Sequence, residues 1–260
     1  MLFRSVLRGG YENVNVTYAN EKGITVFHTP GRNANAVADF TVGMLISECR
    51  NIAKSHKYLK DGQWVRDYTN KDCVPDLKDK VAGIVGLGEV GRRVAKRLAS
   101  FDMKIVAYDP FIKEGPDGVQ MLSLDKLMEV SDFVTVHARL TQETEHLINA
   151  DRFKLMKPTS YIINTARSGL IDEEALYEAL SKKQIMGAAL DVFDEEPPAK
   201  NYPLLTLDNV TVTPHLAGGT RDAFTSSPKL LAAEMIKLLS GEDSRYVINR
   251  DTYHKRFNIK

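Results

Sequence analysis

The segment Gly86-Leu87-Gly88-Glu89-Val90-Gly91 constrains this chain more than any other. It follows a continuous apolar run, Val81–Val85, and opens a helical pattern, Val90–Ser100. A bare G-x-G-x-x-G says little, but between a strand and a helix each glycine has a physical task. Gly86 permits the tight turn, Gly88 lets the backbone approach a pyrophosphate, and Gly91 lets helix and strand pack closely. The helix amino terminus offers backbone N–H groups and the positive end of the helix dipole to phosphates. A second strand, Lys104–Tyr108, ends at Asp109, 18 residues beyond Gly91. That is near the ~20-residue spacing at which an acidic side chain meets the ribose hydroxyls of a dinucleotide. A carboxylate there repels a 2′-phosphate, so the expected cofactor is NAD rather than NADP. Asp109 also precedes Pro110, and an Asp in that place can serve simply as a turn residue.

The rest of the chain repeats the same alternation. Apolar runs recur at Phe133–Val136, Tyr161–Ile163, Met186–Leu190 and Val210–Val212, with helical patterns between most of them: Leu124–Val130, Ala150–Met156 and Glu173–Leu180. Strands that are apolar throughout belong to a parallel sheet covered on both faces. The expected fold class is therefore α/β, a doubly wound parallel sheet of the Rossmann type. Ahead of it, Phe3–Leu7, Val14–Glu21 and Ile24–Phe27 read as strand, helix and strand, ending at Pro30-Gly31. A long amphipathic helix is expected from Ala34 to Tyr58, and a last helix from Arg221 to Leu239, with Pro228 near a bend or first turn. The polar tail from Gly241 is expected to be loosely ordered. The expected segments are 1–30, a strand–helix–strand stretch; 31–219, the dinucleotide domain; and 220–260, a return helix and tail.

Composition narrows the classes of function. The 260 residues carry 35 Lys+Arg against 34 Asp+Glu, which leaves no charge excess to drive nucleic-acid or polybasic membrane binding. No apolar run reaches the ~18 residues of a membrane helix, and Arg4 and Arg8 break the apolar start as a signal peptide would not allow. Cys49 and Cys73 form no metal motif and are expected as reduced thiols in a cytoplasmic protein.

Three polar residues stand just past strands of the second half: Arg167, Glu196 and His215. Open α/β sheets bind ligands outside the carboxyl ends of their strands. Arg can grip a carboxylate with two parallel hydrogen bonds. His can give or take a proton near neutrality, and a Glu beside it fixes the ring. With a nicotinamide these groups suit interconversion of a 2-hydroxy acid and a 2-keto acid. Each residue alone has an ordinary explanation: a surface ion pair, a solvated acidic loop, a loop histidine. The other histidines read as surface or loop residues, and His137 as a strand end near the adenosine.

At Gly86–Gly91, Asn164-Thr165-Ala166-Arg167, Leu190-Asp191-Val192-Phe193 with Glu196-Pro197, and Thr213-Pro214-His215 with Gly218-Gly219, the chain resembles the D-isomer-specific 2-hydroxyacid dehydrogenases. The likeness runs from about Arg8 to Val247. It implies an NAD-dependent oxidoreductase with Arg167 on the substrate carboxylate, Glu196 partnering the histidine and His215 as acid/base. It implies cofactor contacts from Glu89, Val90, Asp109, Thr165, Ala166, Arg167, Asp191, His215 and Gly218, with Asp191 on the nicotinamide amide. It also implies that the loop Arg8-Gly9-Gly10 holds the substrate carboxylate through its N–H groups, and that the 34–58 helix and the Rossmann domain pair two subunits as a homodimer. Arg139 replaces the usual Pro of the family and has no assigned role. Members of the family begin with a separate, flavodoxin-like substrate domain whose first strands and helices precede the Arg8-Gly9-Gly10 loop, so the resemblance implies that residues 1–30 are a remnant of that domain. The chain accordingly reads as amino-terminally truncated, with the strand Phe3–Leu7 lacking neighbours. A non-catalytic NAD-binding protein, or an inactive truncated paralogue, is the competing reading.

Overall fold

The computed structural model of the chain describes residues 3–11, 13–244 and 246–257. The extreme ends of the expected segments 1–30 and 220–260 therefore lie outside the described residues. Two compact units emerge: Val37–Ala217, and Met1–Ala36 with Gly218–Lys260. Before and into the larger unit run β1 (Phe3–Ser5), α1 (Val16–Glu21), β2 (Thr25–Phe27), α2 (Ala34–Cys49) and α3 (Ile52–Lys60). The larger unit continues with β3 (Val81–Val85), α4 (Glu89–Ala99), β4 (Lys104–Tyr108), β5 (Val119–Met121), α5 (Leu124–Val130) and β6 (Phe133–Val136). It ends with α6 (Ala150–Leu155), β7 (Tyr161–Asn164), α7 (Glu173–Ser181), β8 (Gly187–Leu190) and β9 (Val210–Val212). The smaller unit resumes with α8 (Arg221–Leu239) and α9 (Arg250–Phe257).

The larger unit is a seven-stranded sheet in the order β5-β4-β3-β6-β7-β8-β9, parallel at every pairing. This is the doubly wound Rossmann arrangement. The chain starts in mid-sheet at β3, moves outward to β5, then crosses back to β6, so the connections diverge between β3 and β6. Neighbouring residues on one strand feed opposite faces. Val85, Ile162 and Leu190 join Leu127, Phe153, Leu176 and Leu180 of α5, α6 and α7. Ile84, Ile163 and Ala189 join Leu45, Val94 and Leu98 of α2 and α4. Each fully buried Leu or Ile contributes ~1.5–3 kcal/mol, and two covered faces leave no room for polar alternation. In α4 the buried set Gly91, Val94, Ala95 and Leu98 follows helical spacing, which aims one stripe at the sheet.

Four elements differ from expectation. The 34–58 helix is two helices, because Asn51 takes a left-handed backbone at φ 56°. Its side-chain amide donates to Asn70 Oδ1 at 2.8 Å, and Asn70 in turn donates to the Cys49 carbonyl and the Tyr161 hydroxyl. Helical spacing of apolar residues continues across such a break, so the sequence pattern does not reveal it. Strand β5 was unforeseen, being a short edge strand with the polar Gln120 at its centre. The described residues of the tail pack closely: Tyr246, Val247 and Tyr253 are buried with Phe27 and Leu231, and Asn249 Oδ1 accepts the Val26 N–H at 2.8 Å. Aromatic anchors outweigh the polar composition there. Finally, β1 has a neighbour, since it pairs in parallel with β2. Of the two places expected for Pro228, a bend or a first turn, the first turn does not hold: Pro228 sits inside α8, with Ser227 Oγ donating to the Ala223 carbonyl. Among the described residues no helix is long and apolar enough to cross a membrane, and Cys49 and Cys73 are both free thiols.

Candidate active site

The loop after β3 is held from two sides. Gly86 stands at φ 92°, and a side chain there would meet the Ala138 backbone nitrogen at 2.6 Å. Gly91 packs still closer, since a Cβ would lie 2.0 Å from the Gly86 carbonyl oxygen. Around Gly88 the space is open, with nothing within 4 Å of a Cβ position. Gly88 is the N-cap of α4 and supplies no side-chain cap. The N–H groups of the first turn therefore have no helical acceptor and face an open cradle. Asp109 lies beside them. Its Oδ2 accepts the Leu87 N–H and its Oδ1 the Phe111 N–H, both at 2.9 Å. Asp109 thus serves its own turn and fastens the glycine loop. A carboxylate has about four acceptor positions, so two remain for hydroxyls. An open amide cradle with an acceptor carboxylate alongside fits a dinucleotide. His137, at the end of β6, is a neutral ring: burial pulls it down to about 3, and Thr135 Oγ1 lies 2.8 Å from its Nε2.

Adjacent strands β7, β8 and β9 deliver the polar residues. After β7, Asn164 Oδ1 accepts the Ala166 N–H and its amide donates to the Arg167 carbonyl, which squares the turn that presents Arg167. The hydroxyls of Thr165 and Thr41 are 2.7 Å apart, tying that turn to α2. After β8 comes Asp191, fully buried. After β9, His215 takes a left-handed backbone at φ 54°. Its Nδ1 lies 2.7 Å from Glu196 Oε2. Glu196 Oε1 accepts the Phe193 N–H at 3.2 Å. Burial pushes the Glu196 carboxyl up, but the hydrogen bonds from His215 and Phe193 and the charges of His215 and Arg167 outweigh it, leaving it below its ordinary value.

The Asp191 carboxylate grips the histidine loop. Oδ1 accepts from the Thr213 hydroxyl and from the Leu216 N–H at 2.8 Å, and Oδ2 accepts the Ala217 N–H at 2.8 Å. These donors flank His215 on both sides. A left-handed histidine costs on the order of 1 kcal/mol, and the buried carboxylate offsets it. Thr213 and Asn164 were not singled out from the sequence as functional side chains. Both stand within the quoted motifs, but nothing in their spacing tells which loop atoms they brace. Gly218 opens the smaller unit, where a Cβ would lie 2.3 Å from Asn33 Nδ2. Arg8, Gly9 and Gly10 belong to that unit too, with the Gly9 carbonyl 2.8 Å from His28 Nδ1.

Comparison with known proteins places these features in one context. The family model for the NAD binding domain of D-isomer specific 2-hydroxyacid dehydrogenases matches residues 42–217. The glyoxylate reductase of Thermofilum pendens is 42% identical over 95% of this chain and 74% of its own length. The D-3-phosphoglycerate dehydrogenase of Methanocaldococcus jannaschii is 42% identical over 92% of this chain, which spans 46% of that protein. The solved D-lactate dehydrogenase of Aquifex aeolicus, complexed with NAD and lactic acid, superposes with a TM-score of 0.81 at 30% identity, over 93% of this chain and 77% of that one.

Proposed function

The chain belongs to the D-isomer-specific 2-hydroxyacid dehydrogenases, which are NAD-dependent oxidoreductases, and on that premise we propose that His215, Glu196 and Arg167 serve the interconversion of a D-2-hydroxy acid and its 2-keto acid. The observation that carries this reading is the 2.7 Å approach of His215 Nδ1 to Glu196, close enough to Arg167 for its charge to act on that carboxylate. When bound, the cofactor would supply a hydride to the keto carbon in its reduced form, NADH, or accept one from the hydroxy acid in its oxidised form, NAD. Residues Gly86 to Gly91 and Asp109 would hold it, with Thr165, Ala166, Asp191 and Gly218 as further contacts. With Nδ1 donating to Glu196, His215 Nε2 is left to give a proton to the carbonyl oxygen during reduction and take it back during oxidation. Glu196 acts through His215 as a positioning residue, keeping one ring nitrogen engaged. Arg167 binds the substrate carboxylate. The small acids named for the relatives, glyoxylate, phosphoglycerate and lactate, bound the substrate class. A panel of 2-keto acids with NADH tests the reading, and tight NADH binding with no turnover of any member would favour the non-catalytic alternative.

The pH dependence follows from the direction of the Glu196 shift. A lowered carboxyl keeps its charge above that lowered value and loses it as pH falls through it. Acidification from neutrality to the ordinary Glu range should therefore leave the pair with His215 in place. An acid limb of kcat/KM belonging to Glu196 is expected only below the ordinary value of 4.5, and Glu196→Gln should abolish that limb. A limb of unchanged position in Glu196→Gln would remove Glu196 from this role.

A homodimer completes the proposal. Helix α3 buries none of its residues, and Ile52, Leu59 and Trp64 are 53%, 60% and 80% exposed. Exposed apolar side chains along one helix and the segment after it suit burial under a second copy. Light scattering should give twice the 29.1 kDa chain mass, and Leu59→Glu with Trp64→Glu should return the folded monomer. A wild-type monomer at every concentration would discard the dimer. Two free thiols suit a reducing compartment, the cytoplasm.

A further inference from the structure

In the smaller unit, Thr29 links two arginines. Its N–H donates to the Arg8 carbonyl at 2.9 Å, and its carbonyl accepts the Arg32 N–H at 3.4 Å. The guanidinium of Arg32 is held in place by α8. Nη1 donates to the Ala223 carbonyl at 3.3 Å and to Ser227 Oγ at 3.1 Å, and the group lies over the Phe224 ring at 5.4 Å. These contacts leave Nε buried without a partner, and Thr29 Oγ1 is buried without one as well. Nearly all buried donors in folded proteins are satisfied, so an orphaned guanidinium N–H marks a place for an acceptor. Burial, and after it the charge of Arg8, holds Arg32 below the ordinary arginine value. Among the described residues no carboxylate forms an ion pair with either arginine. Two like charges held near each other are relieved by an anion between them.

We propose that Arg32 and Arg8, with Thr29 Oγ1, form an oxyanion site in the smaller unit that takes a phosphate or carboxylate group. The planar fork of Arg32 is already oriented, which lowers the entropy lost on binding such a group. A merely structural Arg32 would need only the Ala223, Ser227 and Phe224 contacts and would leave Nε without purpose. The anion is either a free oxyanion or a second charged group on the 2-keto acid. The latter rests on the dehydrogenase reading.

The test is thermal unfolding of the whole chain, saturated with NADH so that the glycine loop is filled, with inorganic phosphate at about 10 mM or chloride at equal ionic strength. Phosphate is expected to raise the midpoint by about 3 °C, and Arg32→Met, which keeps the stem over Phe224, to abolish the rise. No rise in wild type, or an undiminished rise in Arg32→Met, overturns the proposal. Should that variant not fold, Arg32→Lys keeps the charge but lacks Nε and should at least halve the rise; an undiminished rise again overturns it. Steady-state kinetics then assign the source. If the substrate carries the group, Arg32→Met raises KM for a phosphorylated 2-keto acid roughly 10-fold more than for the same acid without phosphate. An equal effect on both, with the phosphate rise lost, assigns the site to a free oxyanion. Phosphate binding through Arg32 in a chain that reduces neither acid keeps the site and discards the dehydrogenase reading.

Discussion

His215→Ala is expected to reduce turnover of a 2-keto acid by about 10²–10⁴-fold, the usual worth of a positioned proton donor. The ring is fixed at one nitrogen by Glu196 at 2.7 Å, and alanine removes the other nitrogen, which serves the substrate. NADH binding, followed by its fluorescence, should be largely kept, because the cradle around Gly88 and the Asp109 carboxylate belong to the loops after β3 and β4. The loss should fall on kcat and kcat/KM together, as for an interaction made in the transition state. Unchanged turnover would end the assignment of His215. Loss of NADH binding in the same variant would mean that the ring serves the cofactor site or the fold as well as the proton transfer.

Asp191→Asn should damage both stability and turnover. The carboxylate accepts from Thr213, Leu216 and Ala217 in a fully buried position. An amide has one acceptor oxygen and turns an NH₂ toward backbone N–H groups. At least one buried donor is then stranded, at about 1–3 kcal/mol each. Unfolding midpoints should fall by about 5 °C or more, and kcat/KM by about 10²-fold as His215 leaves its left-handed position. Thr213→Val removes a single donor and should cost less on both measures. Full activity in Asp191→Asn with lowered stability would show that the loop keeps His215 in place without this grip, and would leave Asp191 a purely structural residue.

Much of the larger unit could be read from local pattern. Apolar runs with no polar alternation can be stable only between two covered faces, and Gly86 and Gly91 tolerate no side chain where they stand. The misreadings have particular causes. Apolar spacing persists through Asn51, so a left-handed break pinned by Asn70, 19 residues away, is invisible locally. The tail is polar on average, yet Tyr253 is fully buried, because a few aromatic contacts decide packing and an average does not register them. Edge strand β5 is too short and too polar to announce itself.

By itself the sequence determined the alternation of strands and helices, the glycine turn, and the presence of Arg167, Glu196 and His215 just past the strands, because backbone period and glycine sterics act within a few residues. Tertiary structure decided what those residues do to one another. Pairing of β8 with β9 sets Asp191 beneath the His215 loop. The Thr29 backbone links Arg8 and Arg32, and the charge of Arg8 acts on Arg32. Such contacts join chain segments tens of residues apart, and a hydrogen bond depends on distances that no local pattern encodes.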